Sequence, residues 1–197
     1  MVGAKTLSRW AEAQAMLYNQ GITSMVFDYS GFGNSSGEAT IENLHNDGIA
    51  AWRYFIEEVA SASQPRVVLG HSLGTGILMS GINQLEPAPD LVVLSAPWST
   101  ARSAVIHLGM APGRVSDYLL PDVWNNVTSA SEVEIHLLVV HGSEDRIVPS
   151  WMGREVANSA VNGRFVELQG IGHRQIARQP TPELWEPVLE AINEIQK

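Results

Sequence analysis

The pentapeptide Gly70-His71-Ser72-Leu73-Gly74 limits what this chain can fold into more than any other stretch. The apolar run Val67-Val68-Leu69 before it reads as a buried strand. Thr75 to Ile82 after it reads as a helix. A strand, a Gly-x-Ser-x-Gly turn and a helix together form a nucleophile elbow. A serine hydroxyl is a weak nucleophile, so it must stand on a tight turn within reach of a base. Gly70 and Gly74 are expected to leave room for that turn. The N–H groups opening the next helix, Leu73 first, would face developing negative charge.

Two downstream segments carry the partners such a serine needs. Leu137-Leu138-Val139-Val140 reads as a strand that ends at His141-Gly142, and the following loop holds Glu144 and Asp145 ahead of Val148-Pro149. Phe165-Val166-Glu167-Leu168 reads as another strand, running into a glycine-rich loop that presents His173. The order is serine, acid, histidine, with each residue just past the C-terminal end of a strand. Ligands bind at that edge of an open α/β sheet. Asp145 is the favoured acid and Glu144 its rival. His71 is expected to point away from the nucleophile, and His141 to shape the acid loop.

These segments resemble the α/β-hydrolase family, in its compact serine-esterase, thioesterase and peptidase-like branch. Phe27-Asp28-Tyr29-Ser30-Gly31-Phe32-Gly33-Asn34-Ser35-Ser36-Gly37 is similar to the branch's FDYRGFGxSxG segment, with Ser30 where arginine is usual. The resemblance runs from about residue 6 to the C-terminus. It implies an α/β fold, with a mostly parallel sheet flanked by helices on both faces and a small cap insertion. It also implies a Ser72-Asp145-His173 triad that cleaves an ester, thioester or amide through an acyl-enzyme, with no cofactor or metal. A strand with a His-Gly loop normally precedes the first helix of this family. This chain lacks both and reads as N-terminally truncated relative to the family. The second oxyanion N–H, beside that of Leu73, would then come from near Val2 or Gly3. An incomplete sheet also leaves a homo-oligomer as a candidate partner, and a non-catalytic protein acting by interaction as the alternative function.

The chain's 197 residues normally make one domain, so residues 1–197 are expected to form a single unit with a cap at about 99–131. Within that cap region, Trp98, His107, Met110 and Trp124 are expected to line a pocket for a small acyl substrate. The formal charge of −9 argues against nucleic acid as a partner, and the absence of cysteine excludes a disulfide framework and thiolate metal sites. No run approaches the roughly 18 apolar residues of a membrane span. The first twenty residues lack the continuous apolar core of a signal peptide, so a cytoplasmic location is expected. Gly31-x-Gly33-x-x-x-Gly37 has the wrong final spacing for a dinucleotide loop.

The remaining pattern alternates helices and strands, as a parallel sheet requires. Strands are expected at Ser24–Asp28, Val67–Leu69, Leu91–Leu94, Leu137–Val140 and Phe165–Leu168. Thr40, Ser150 and Thr181 read as helix caps, with Pro182 at the first position after Thr181.

Overall fold

In a computed structural model, residues 7–110 and 123–196 are described. Four strands form one parallel sheet in the order β1-β2-β3-β4: β1 (Val67–His71), β2 (Leu91–Ser95), β3 (His136–Gly142) and β4 (Gly163–Leu168). Between and around them run α1 (Ala11–Asn19), α2 (Ile41–Tyr54), α3 (Leu73–Gly81), α4 (Ala101–His107), α5 (Asn126–Ser131), α6 (Ser150–Ser159), α7 (Gln175–Arg178) and α8 (Pro182–Glu194). All four strands point the same way, so their C-terminal ends share one edge.

Alternation along the strands divides the core between the two faces of the sheet. Val92, Leu94, Leu137 and Val139 point into one cluster with Trp52 of α2, Met79 of α3 and Val156 of α6. Leu91, Val93, Leu138 and Val140 point into the other, with Ala13 and Met16 of α1 and Trp185, Val188 and Ile192 of α8. Every residue of β2 is buried, as a central strand covered on both faces requires.

The caps follow local chemistry. The Thr40 hydroxyl accepts from the Asn43 N–H at 3.1 Å, and that of Thr181 from the Leu184 N–H at 3.2 Å. Ser150 departs from its expected role. Pro149 is the N-cap of α6 and Ser150 the first helical residue. The Ser150 hydroxyl instead donates to Glu167 Oε1 on β4 at 2.8 Å.

The expected strand at Ser24–Asp28 does not form, and among the described residues it has no ladder partner. A cavity of about 390 Å3 lies between it and β1, lined on one side by Ile22, Thr23 and Ser24 and on the other by Val67 and Leu69. An apolar alternating segment becomes a strand only when another strand satisfies its backbone. Among the described residues, β1 is therefore an edge strand.

Candidate active site

The elbow forms at the end of β1. Ser72 has φ 51° and ψ −116°, a conformation that side-chain-bearing residues avoid. Several bonds hold it there. The Ser72 N–H donates to the Ser95 carbonyl at 2.9 Å, and the Ser72 carbonyl accepts from the Thr75 N–H at 2.9 Å and the Thr75 hydroxyl at 2.6 Å.

Only one elbow glycine is forced by crowding. A Cβ at Gly70 would lie 2.8 Å from the Gly74 carbonyl oxygen, whereas one at Gly74 would meet nothing within 4 Å. Gly74 is thus not required by packing, contrary to the sequence reading. We expect Gly70→Ala to lower stability by about 1–3 kcal/mol, as overpacking does, and Gly74→Ala to leave the fold intact. Urea denaturation of both variants checks this contrast.

The acid and the histidine arrive on loops laced together. Ser143 N–H donates to the Leu168 carbonyl at 2.9 Å, Glu144 N–H to the Ile171 carbonyl at 3.0 Å, and Gly170 N–H to the Ser143 hydroxyl at 2.9 Å. Gly142 permits this approach, because a Cβ there would strike the Ile171 carbonyl. The result is a chain of hydrogen bonds. His173 Nε2 lies 2.8 Å from Ser72 Oγ, and His173 Nδ1 lies 2.6 Å from Asp145 Oδ2. The second Asp145 oxygen accepts from the Ile147 and Val148 N–H groups at 2.9 and 2.8 Å. Asp145 is buried, whereas Glu144 is exposed and contributes its backbone to the loop lacing.

Burial acts to raise the Asp145 carboxyl pKa. Hydrogen bonds from His141, His173 and the Val148 N–H outweigh it and hold the group well below the usual carboxylate range. Asp145 therefore stays ionised and keeps a proton on Nδ1 of His173, so the Nε2 lone pair faces the Ser72 hydroxyl. That arrangement can deprotonate the serine and then stabilise the resulting imidazolium.

Two further histidines build the wall behind this chain. His141 is fully buried and lies 2.8 Å from the Val148 carbonyl through Nε2, which fixes the acid loop as the sequence suggests. The same nitrogen is 3.4 Å from Asp145 Oδ2. His71 does not turn away from the site. Its ring lies 5.3 Å from that of His173 at a tilt of 38°, meets Trp10 edge-on at 5.8 Å, and places Nδ1 2.9 Å from the Ser95 hydroxyl. A strand-end position allows either direction, so the sequence carried no signal for this one.

Burial first, and then the nearby His173, push the His71 pKa down from 6.5 to about 3. The unfolded chain thus binds a proton that the folded chain refuses between those values, so stability falls as pH drops through this window. His71 is expected to contribute at most about 1.4 kcal/mol per pH unit there, less in proportion to the part of the ring that water reaches. Urea unfolding of the wild type and His71→Gln at pH 7 and pH 5 checks this, with the variant showing the shallower acid loss.

A cavity of about 600 Å3 opens beside Ser72 and His173. Its apolar walls include Trp10, Leu17, Val26, Phe27, Phe32 and Trp185. Tyr29 also lines it, and burial, with Asp47 nearby, pushes its phenol up to about 12, so it remains protonated. Leu73 lines the cavity at the start of α3, while Gly3 lies outside the described residues.

The expected substrate-binding set is not brought to this cavity. Trp98, His107, Met110 and Trp124 are absent from its described lining, and the insertion contributes Leu108 instead. The two indoles pack against each other and over Gly76, with the Trp98 N–H donating to the Trp124 carbonyl at 3.3 Å. Met110 is 72% exposed and His107 is exposed at the end of α4. Residues 111–122 of the insertion lie outside the described residues.

The family described as serine aminopeptidase, S33, matches residues 3–126. The chain belongs to that family. It is 29% identical to human protein ABHD12B over 188 residues, covering 84% of this chain and 51% of that one. It is 27% identical to the lysophosphatidylserine lipase ABHD12 of Bos taurus over 197 residues, covering 88% and 49%. The chain thus spans about half the length of these curated relatives. Among solved structures, an alpha-beta hydrolase from Vibrio vulnificus superposes with a TM-score of 0.75 at 17% identity, covering 96% of this chain and 70% of that one. The fold is that of an α/β-hydrolase. Among the described residues, no helix is long and apolar enough to cross a membrane.

Proposed function

We propose that this chain is a serine hydrolase that cleaves a carboxylic ester through an acyl-enzyme, with thioesters and amides as chemically related substrates. The carrying observation is the unbroken contact chain from Ser72 Oγ to His173 at 2.8 Å and from His173 to Asp145 at 2.6 Å. His173 Nε2 removes the Ser72 proton as Oγ attacks the carbonyl carbon. The oxyanion accepts from the Leu73 N–H at the opening of α3. The tetrahedral species collapses, breaking the bond to the leaving group, which takes the proton from His173. Water, deprotonated by His173, then releases the acid and restores Ser72.

The apolar cavity beside Ser72 suits the hydrocarbon part of an acyl substrate. A relative named as a lysophosphatidylserine lipase supports an amphiphilic ester as the substrate class. A fluorophosphonate probe tests the reading. Covalent labelling at Ser72, lost in His173→Ala, is the expected result. An unlabelled wild-type chain would refute the assignment.

A further inference from the structure

The cavity beside Ser72 has a sharply uneven distribution of charge. Arg9, Arg174 and Arg178 line it, and among the described residues no aspartate or glutamate does. This occurs in a chain with 21 acidic residues against 12 lysines and arginines. Three arginines elsewhere meet carboxylates: Arg66 with Asp90, Arg154 with Glu167, and Arg164 with Glu190 and Glu194. Among the described residues, no carboxylate pairs with Arg9, Arg174 or Arg178.

The fold brings these three together from two elements. Arg174 follows His173 directly, and Arg178 lies four residues on, at the end of α7. Arg9 sits in the turn leading into α1, which packs against α7. All three are exposed, so their guanidiniums are open to a ligand at this cavity. Guanidiniums present several N–H donors in a fixed fork, suited to phosphate and carboxylate oxygens.

Resting on the hydrolase reading above, we propose that the substrate carries an anionic group, phosphate or carboxylate, held by Arg9, Arg174 and Arg178 while its acyl chain enters the apolar cavity. The three arginines are binding residues. They select the substrate by charge.

The test separates binding from turnover. Octyl phosphate and 1-octanol share one chain and differ in the anionic group. Their affinities for the protein are read by calorimetry and by the fluorescence of Trp10 and Trp185, which line the cavity. Octyl phosphate is expected to bind about tenfold more tightly or better, as charge-assisted hydrogen bonds give. That preference should collapse in the Arg9→Gln, Arg174→Gln, Arg178→Gln triple variant and shrink at about 0.5 M salt, where screening is short-ranged. Arg178→Lys should retain part of it, and Arg154→Gln, on the other side of the sheet edge, all of it. Equal affinity for the two probes, or a preference surviving in the triple variant, overturns the proposal. If the triple variant does not fold, the salt titration and Arg178→Glu decide in its place, an unchanged preference in both again overturning it. Kinetics with octanoylglycerol phosphate against octanoylglycerol, which share one ester bond, should show the same ratio in kcat/KM. If octyl phosphate is preferred and neither ester is cleaved, the hydrolase reading fails and the anion site stands.

Discussion

Ser72→Ala is expected to lower kcat/KM for a short p-nitrophenyl ester by at least about 10⁴-fold, the scale on which serine nucleophiles fail when removed. The loss should appear in kcat, because the hydroxyl forms the bond that breaks and the cavity that holds the acyl group is untouched. The folded state should survive. The Ser72 side chain contacts His173, whereas the turn is held by the Ser72 backbone through Ser95 and Thr75. Alanine suffers the same strain at φ 51°, so thermal melting should stay near that of the wild type. Ser72→Gly, equally inactive, should melt higher than Ser72→Ala, since glycine adopts positive φ freely. A Ser72→Ala protein with near wild-type esterase activity would remove the nucleophile from the mechanism altogether.

Asp145→Asn is expected to cost about 10⁴-fold in kcat by reversing the histidine tautomer. The asparagine carbonyl can keep the two bonds from Ile147 and Val148, which anchor the loop. Its amide then faces His173 Nδ1, where Asp145 now accepts at 2.6 Å. An amide donor there moves the ring proton to Nε2, which can no longer accept from Ser72. Glu144→Gln should leave the rate nearly unchanged, because that side chain is exposed and only its backbone serves the site. Steady-state kinetics of both variants decide the matter, and equal losses would reassign the acid.

The elements legible in the sequence are those that neighbouring residues determine. Thr40 and Thr181 cap helices through N–H groups three residues away, so a short window shows them. The four strands of the sheet are apolar runs bounded by glycine, proline or charge. Ser72, Asp145 and His173 could be grouped because each follows such a run in a fixed order, and the structure brings the three into contact. What needed a distant partner was not readable. Ser24–Asp28 has a strand's pattern and, among the described residues, no neighbour to pair with. Ser150 reaches Glu167 across the fold, and the Trp98 and Trp124 rings turn toward Gly76 rather than the cavity. His71 alternates with its neighbours on an edge strand, and only the arrival of His173 gives its direction meaning. The arginines carried one faint sign, the four-residue spacing of Arg174 and Arg178 immediately after the histidine.

The contact between Ser72 and His173 spans 101 positions of chain, and it crosses the sheet from β1 to the loop after β4. On the proposed mechanism, Ser72 becomes reactive only after the loop that follows β4 is in place. While the ribosome is still making β4, or whenever that strand detaches, Ser72 is an ordinary alcohol in contact with nothing that can take its proton. On that mechanism a chain that has lost this contact is expected to be inert toward esters, and esterase activity would report on the sheet that holds the two residues together. Stress that loosens any one strand should silence the protein before it releases a reactive fragment.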